Sequence, residues 1–201
     1  MEINQDLLEE TLRIKLNLLR TITNKRLKSI MVTSANHGEG TSILVANLAF
    51  AFALDGKTRV LLVDANIRRP NLHTLFGLEC KKGFLDFIGG NTGLAETIRE
   101  TAFPNIHLMT AGQPRQNDAL IILAAISKDA KNSIETGFDL VLYDTAPVNS
   151  YPDTLMTTTL ADGIILVILA EKTRHEAVSK AKKSLEAIEA HILGGVLNER
   201  K

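Results

Sequence analysis

Apolar residues in this chain collect into short, nearly continuous runs separated by longer amphipathic ones. KSIMVTSA (28–35), TRVLLVDA (58–65), FDLVLYDTAP (138–147) and GIILVILAE (163–171) are rich in Val, Ile and Leu and barely alternate. That pattern predicts strands covered on both faces. NIHLMTAG (105–112) and HILGGVLN (191–198) predict two more strands. Helical spacing occupies residues ~42–55, ~117–136 and ~175–190, the last through Ala177, Val178, Ala181, Leu185 and Ile188. Strand alternating with helix predicts an α/β fold of three layers, a mainly parallel central sheet with helices on both faces and right-handed crossovers. Residues ~70–103, punctuated by Gly and Pro, predict short helices over the mouth of the sheet. At the N-terminus, INQDLLEETLRIKLNLLRTI places Leu8, Leu12, Leu16 and Leu19 on a helical stripe. Periodicity favours a helix packed on its own domain over an arm that docks on a neighbouring subunit.

Composition narrows the function classes. The 201 residues are 45% hydrophobic and 23% charged, ordinary for a soluble globular chain of one domain. A formal net charge of zero lacks the electrostatic footprint of a nucleic-acid binder, so no nucleic-acid partner is expected. Cys80 is the single cysteine, which removes a disulfide framework and suits a reducing cytoplasm. The acidic, amphipathic first residues do not read as a signal peptide. ILVANLAFAFAL (43–54), the most apolar stretch, is too short to span a bilayer and contains Asn47. Membrane association is therefore expected only through a partner. The His residues lack ligand spacing for zinc, and the basic groups at 24–28 and at Lys180, Lys182 and Lys183 read as solvated faces.

The chemistry concentrates at SANHGEGTS (34–42), between a predicted strand and a predicted helix. A phosphate loop works because successive backbone N–H groups converge at a helix N-terminus, and glycines let the main chain approach the anion. Gly38 and Gly40 sit where this is needed, and Ser42 where a hydroxyl would reach Mg²⁺. A plain glycine turn would read the same way from the loop alone. Two other predicted strands end in Asp64 and Asp144. One Asp at a strand end is usually a cap or turn residue. Two of them beside a phosphate nest, at the strand ends where α/β sheets bind ligands, point to a Mg-nucleotide cleft.

At this level the chain resembles the bacterial tyrosine kinases of capsule and exopolysaccharide assembly, relatives of the deviant P-loop ATPases that include partition and septum-placement proteins. TSANHGEGTS resembles their Walker A segment, LLVDANIRRPNLHTLFGL their second Asp-bearing motif, and FDLVLYDTAPV their Walker B. LADGIILVILAEKTRHEAV and ILGGVLN are similar to the last strands of the family, and EETLRIKLN to its N-terminal oligomerisation helix. The resemblance implies a P-loop NTPase-like fold, with residues 1–26 as an oligomerisation arm and 27–201 as the kinase-like domain. It further implies Mg-ATP or Mg-ADP as cofactor. Phosphates would be bound by the amides of Gly38, Glu39, Gly40, Thr41 and Ser42, and adenine contacted by Asn198. Ser42, Asp64 and Asp144 would form the metal shell, and Asp64 would act as catalytic base for a tyrosine. The implied partner is a membrane chain-length or polymerisation protein of polysaccharide export, which would hold the domain at the inner membrane face.

The departures are specific. Thr41 stands where the phosphate-binding lysine belongs, Asn66 replaces the second acid of an Asp-x-Asp pair, and His37 replaces a proline. Leu12 and Lys15 replace two arginines of the arm, and the closing NERK carries no tyrosine-rich tail. A charged hydrogen bond from lysine to phosphate contributes about 1.5–3 kcal/mol, so binding should weaken roughly ten- to a hundred-fold. A cation on the transferring phosphoryl group contributes about 10³–10⁵ in rate. The expectation is a tyrosine-kinase-like domain with impaired phosphotransfer and retained nucleotide binding. Alternatives are an active autokinase with a compensating cation from Arg68 or Arg69, or a partition-type ATPase.

Overall fold

The structure, a computed structural model, describes residues 5–114 and 118–199. Seven strands form one sheet: β1 Ser29–Ser34, β2 Val60–Asp64, β3 Ile98–Glu100, β4 Ile106–Met109, β5 Leu140–Asp144, β6 Gly163–Leu169 and β7 Ile192–Asn198. Their order is β3-β4-β2-β5-β1-β6-β7, parallel except for the β3–β4 pair. The continuous apolar runs are explained by burial on both faces. Ile30, Val32, Leu62, Leu142 and Val167 point to one side, and Met31, Leu61, Val63, Tyr143 and Leu166 to the other.

The first side is covered by α1 Gln5–Lys25, α2 Thr41–Ala53 and α3 Leu72–Phe76, the second by α4 Phe84–Ile88, α6 Asp118–Ala125, α7 Lys128–Glu135, α8 Pro152–Thr157 and α9 His175–Glu186. The short α5, Leu94–Thr97, leads into β3. Three layers result, as expected. Helix α2 is apolar nearly all round because it lies between the sheet and α1.

Three expectations change. The helix expected over ~117–136 is two helices, broken where Ser127 turns extended and its Oγ caps α7 by accepting from the Ala130 N–H at 3.2 Å; residue 117 lies outside the described residues. The span ~70–103 does hold three short helices, but it also contains β3, an antiparallel edge strand. On α1 the inward face is Thr11 and Leu18, buried, with Ile14, Leu19 and Ile22 half-buried, rather than the full leucine stripe, and Leu16 is 65% exposed. A helix advances about 100° per residue, so each step of four drifts about 40° and carries Leu16 off the face. Along that face Lys15 reaches over α2, donating from Nζ to the Ala51 carbonyl at 2.7 Å with Nζ 5.4 Å from the Phe52 ring centroid.

Candidate functional site

Strand β1 lies between β5 and β6, and the chain leaves it through residues 35–40 for α2. Order reverses around this strand, which opens a crevice at its carboxyl end. There Gly38, Glu39, Gly40, Thr41 and Ser42 line a cleft of about 360 Å³, completed by Ser34, His37, Ile43, Asn66, Arg69, Pro70, Asn71, Thr145 and Pro147. Gly40, at φ +93°, is the residue before α2 and requires the left-handed conformation. Backbone amides at the start of α2 and its dipole give this concavity the chemistry to receive an anion.

Loop shape is set by a buried side chain. Glu39 is 3% exposed and its carboxylate accepts from the Ala35 N–H (3.0 Å), Asn36 Nδ2 (3.1 Å) and Thr173 Oγ1 (2.6 Å). Asn198, at the end of β7, donates from Nδ2 to the Glu39 carbonyl at 2.9 Å. Asn198 thereby ties the loop to the end of β7, next to Gly40. Thr173 is the member of this brace that sequence reasoning missed, because it lies 134 positions from Glu39.

Beneath the nest, Asp64 and Asp144 are register neighbours on β2 and β5, both fully buried. Asp144 Oδ2 accepts from Ser42 Oγ at 2.5 Å, while its Oδ1 is buried with no hydrogen-bond partner. Asp64 Oδ2 accepts from the N–H groups of Asn71 and Leu72, both at 3.0 Å, and Oδ1 from the Asn66 N–H at 3.3 Å. Asp64 thus also caps the start of α3, the ordinary role for an Asp at a strand end. Burial raises its pKa from 3.8 to about 7, against the three backbone donors that favour the anion. Asp144 is pushed well up by burial and then by Asp64, with the Ser42 hydroxyl pulling the other way.

The arrangement fits a hard divalent cation. One hydroxyl and two carboxylates, one with an orphaned oxygen, match a Mg²⁺ ion that keeps several waters and takes its other ligands from phosphate. Among the described residues no cluster of three or more His, Cys, Asp or Glu side chains forms a self-sufficient metal site.

The two arginines after Asn66 part company. Arg68 pairs with Asp153 at 2.8 Å and lies 4.7 Å over the Tyr151 ring, which makes a T-shaped contact with the His37 ring, centroids 5.6 Å apart. Arg69 is on the cleft wall.

The chain is 32% identical over 193 residues to the tyrosine-protein kinase YwqD of Bacillus subtilis (strain 168), covering 96% of this chain and 81% of that protein. It belongs to the bacterial tyrosine-kinase family. No family model matches the chain. The crystal structure of the chimerical protein CapA2B2 has a TM-score of 0.86 at 26% identity, over 96% of this chain and 84% of that one. The septum site-determining protein MinD of Pyrococcus horikoshii OT3, complexed with Mg-ADP, reaches 0.71 at 23% identity over 85% of this chain and 70% of that one. That second likeness is one of fold, and it accords with a three-layer P-loop ATPase-like sheet.

Proposed function

We propose that this domain is a tyrosine-kinase-like regulator of capsule or exopolysaccharide synthesis that binds Mg-nucleotide and transfers phosphate poorly or not at all. The observation that carries the reading is the nest at α2 set directly over the Ser42–Asp144–Asp64 group, with Thr41 in the lysine position. In this reading the loop amides hold the phosphates, Ser42 and Asp144 hold the metal's inner or water shell, and Asp64 accepts the phenolic proton of a substrate tyrosine. A bound Mg-nucleotide supplies the phosphoryl group and an ion that spreads the charge on its oxygens. Thr41 brings no charge to those oxygens, so the rate falls much further than the affinity.

The same reading includes a membrane partner from polysaccharide export, a cytoplasmic position at the inner face of the membrane, and assembly of copies through α1. Family membership supports the first two, and the exposed Leu16 supports the third. Among the described residues no helix is long and apolar enough to cross a membrane.

Titration calorimetry of Mg-ADP and Mg-ATP into the domain and its Thr41→Lys variant, with ATP turnover measured beside it, tests the proposal. Binding without turnover in the wild type, and regained turnover in the variant, is the expected outcome. Failure of the wild type to bind at millimolar nucleotide would overturn it.

A further inference from the structure

We propose that Arg69 is the cation of the nucleotide cleft, contacting the terminal phosphates from the cleft wall. The inference rests on the Mg-nucleotide reading and assigns the binding charge that Thr41 cannot supply.

The argument is one of charge and commitment. Three cleft-lining side chains are titratable: His37, Glu39 and Arg69. Glu39 is turned into the protein, its carboxylate filled by donors from Ala35, Asn36 and Thr173. The His37 ring is engaged in a T-shaped contact with Tyr151. Arg69 is exposed, and among the described residues no carboxylate pairs with it. Arg68, by contrast, is committed to Asp153 and Tyr151.

Local structure fixes where Arg69 starts from. Its N–H donates to the Asn66 side-chain Oδ1 and to the Asn66 carbonyl, each at 3.2 Å, closing a tight turn at the cleft rim. Pro70 follows with its constrained φ, and Asn71 and Leu72 are then pinned by Asp64. The Arg69 backbone is therefore held on the cleft wall, while its side chain keeps its reach. Asn66 matters a second time here. An acid at that position would set a carboxylate within three residues of the guanidinium and compete with phosphate for it; the neutral amide leaves the charge available.

Guanidinium is suited to the task, since its planar fork can hold two phosphate oxygens at once. A flexible arginine delivered from solvent also differs from a lysine fixed at a helix start. It favours the bound polyphosphate without being preorganised for the transferring oxygens. Retained binding and impaired transfer then follow from one substitution and one neighbour.

Calorimetry with Mg-ATP and Mg-ADP on wild type, Arg69→Ala, Arg69→Lys, and the Thr41→Lys/Arg69→Ala pair tests this, with Lys182→Ala as a surface-charge control and melting curves to establish folding. Arg69→Ala should weaken Mg-ATP by roughly ten- to a hundred-fold, about the loss for one charge-assisted contact. Arg69→Lys should retain part of the affinity, Lys182→Ala all of it, and Thr41→Lys should restore binding in the Arg69→Ala background. Wild-type affinity unchanged in Arg69→Ala would overturn this assignment while leaving the nucleotide reading intact. Binding only after Thr41→Lys is introduced would also overturn it. No binding by any of the proteins would instead sink the nucleotide reading on which it rests.

Discussion

Neutralising Asp64 should make the protein more stable at pH 8 and leave it little changed, or slightly less stable, at pH 5. Two carboxyl groups lie side by side on β2 and β5 with no solvent access, and among the described residues no cation is bonded to either. Asp64 titrates at about 7 in the fold, against an ordinary value of 3.8. The folded state therefore holds its proton more tightly than the unfolded chain does. Its contribution is fully present below the unfolded value and is lost as pH rises from about 4 to about 7. At about 1.4 kcal/mol per tenfold, that interval corresponds to a loss on the order of 4 kcal/mol. Asp144, displaced in the same direction, adds to it. Asp162 does not enter this window: burial pushes its carboxyl up, but Lys131 and the N–H groups of Lys28 and Ser29 hold it below its ordinary value, so it changes stability only below about pH 4. A difference between two proteins removes the background of the other titrating groups. Urea unfolding of wild type and Asp64→Asn at pH 5, 6, 7 and 8 is the assay; the amide retains an acceptor for the α3 N–H groups. The stability difference should grow in favour of the variant from pH 5 to pH 8 and shrink when millimolar Mg²⁺ is added to both at pH 8. Parallel curves, with a constant difference across the range, would refute the reasoning.

Two further perturbations probe the loop brace. Gly40→Ala places a Cβ 2.2 Å from Asn198 Nδ2 at a residue with φ +93°, so unfolding free energy should fall by about 1–3 kcal/mol. Adding Asn198→Ala should recover part of that loss and not all, because the backbone strain stays; strict additivity in a urea double-mutant cycle would refute the contact. Glu39→Gln leaves one of the donors around its buried carboxylate unmatched, which should cost about 1–3 kcal/mol in urea unfolding and weaken Mg-ADP in calorimetry. Unchanged nucleotide affinity would show that loop shape does not depend on that carboxylate.

Much of the fold was readable because two-sided burial leaves a plain trace. Six of seven strands are runs of Val, Ile and Leu, and the nest and both aspartates were found at the strand ends. What escaped detection has local reasons. β3 is three residues, Ile98–Glu100, with none of them buried, so it bears no apolar signature. The break between α6 and α7 depends on a single serine cap inside a helical pattern. Arg68 and Arg69 are adjacent in sequence, and Asp153, 85 positions away, together with Tyr151 separates an anchored guanidinium from one on the cleft wall. The Glu39–Thr173 and Glu39–Asn198 bonds join distant ends of the chain through β6 and β7, and no local spacing encodes them.

In the proposed reading, the brace explains how a phosphate-binding loop keeps its shape with threonine at position 41. In this chain the concavity is shaped by Glu39 pulling on the amide of Ala35, by Thr173 and Asn198 gripping Glu39 from the sheet edge, and by Gly40 accepting a left-handed turn. None of these contacts involves residue 41, whose side chain packs at the buried start of α2. The carboxylate pair is likewise placed by strand register and by the α3 cap. Replacing lysine with threonine therefore removes a charge from the ligand's surroundings and leaves the shape that receives the ligand in place. Phosphate affinity, which draws on several amides, should decline by one contact. Phosphoryl transfer, which depends on a fixed cation at the reacting oxygens, should lose most of its rate. Restoring lysine at position 41 should then raise turnover by a much larger factor than it raises affinity, and equal factors would mean that the shape of the loop had depended on that side chain after all.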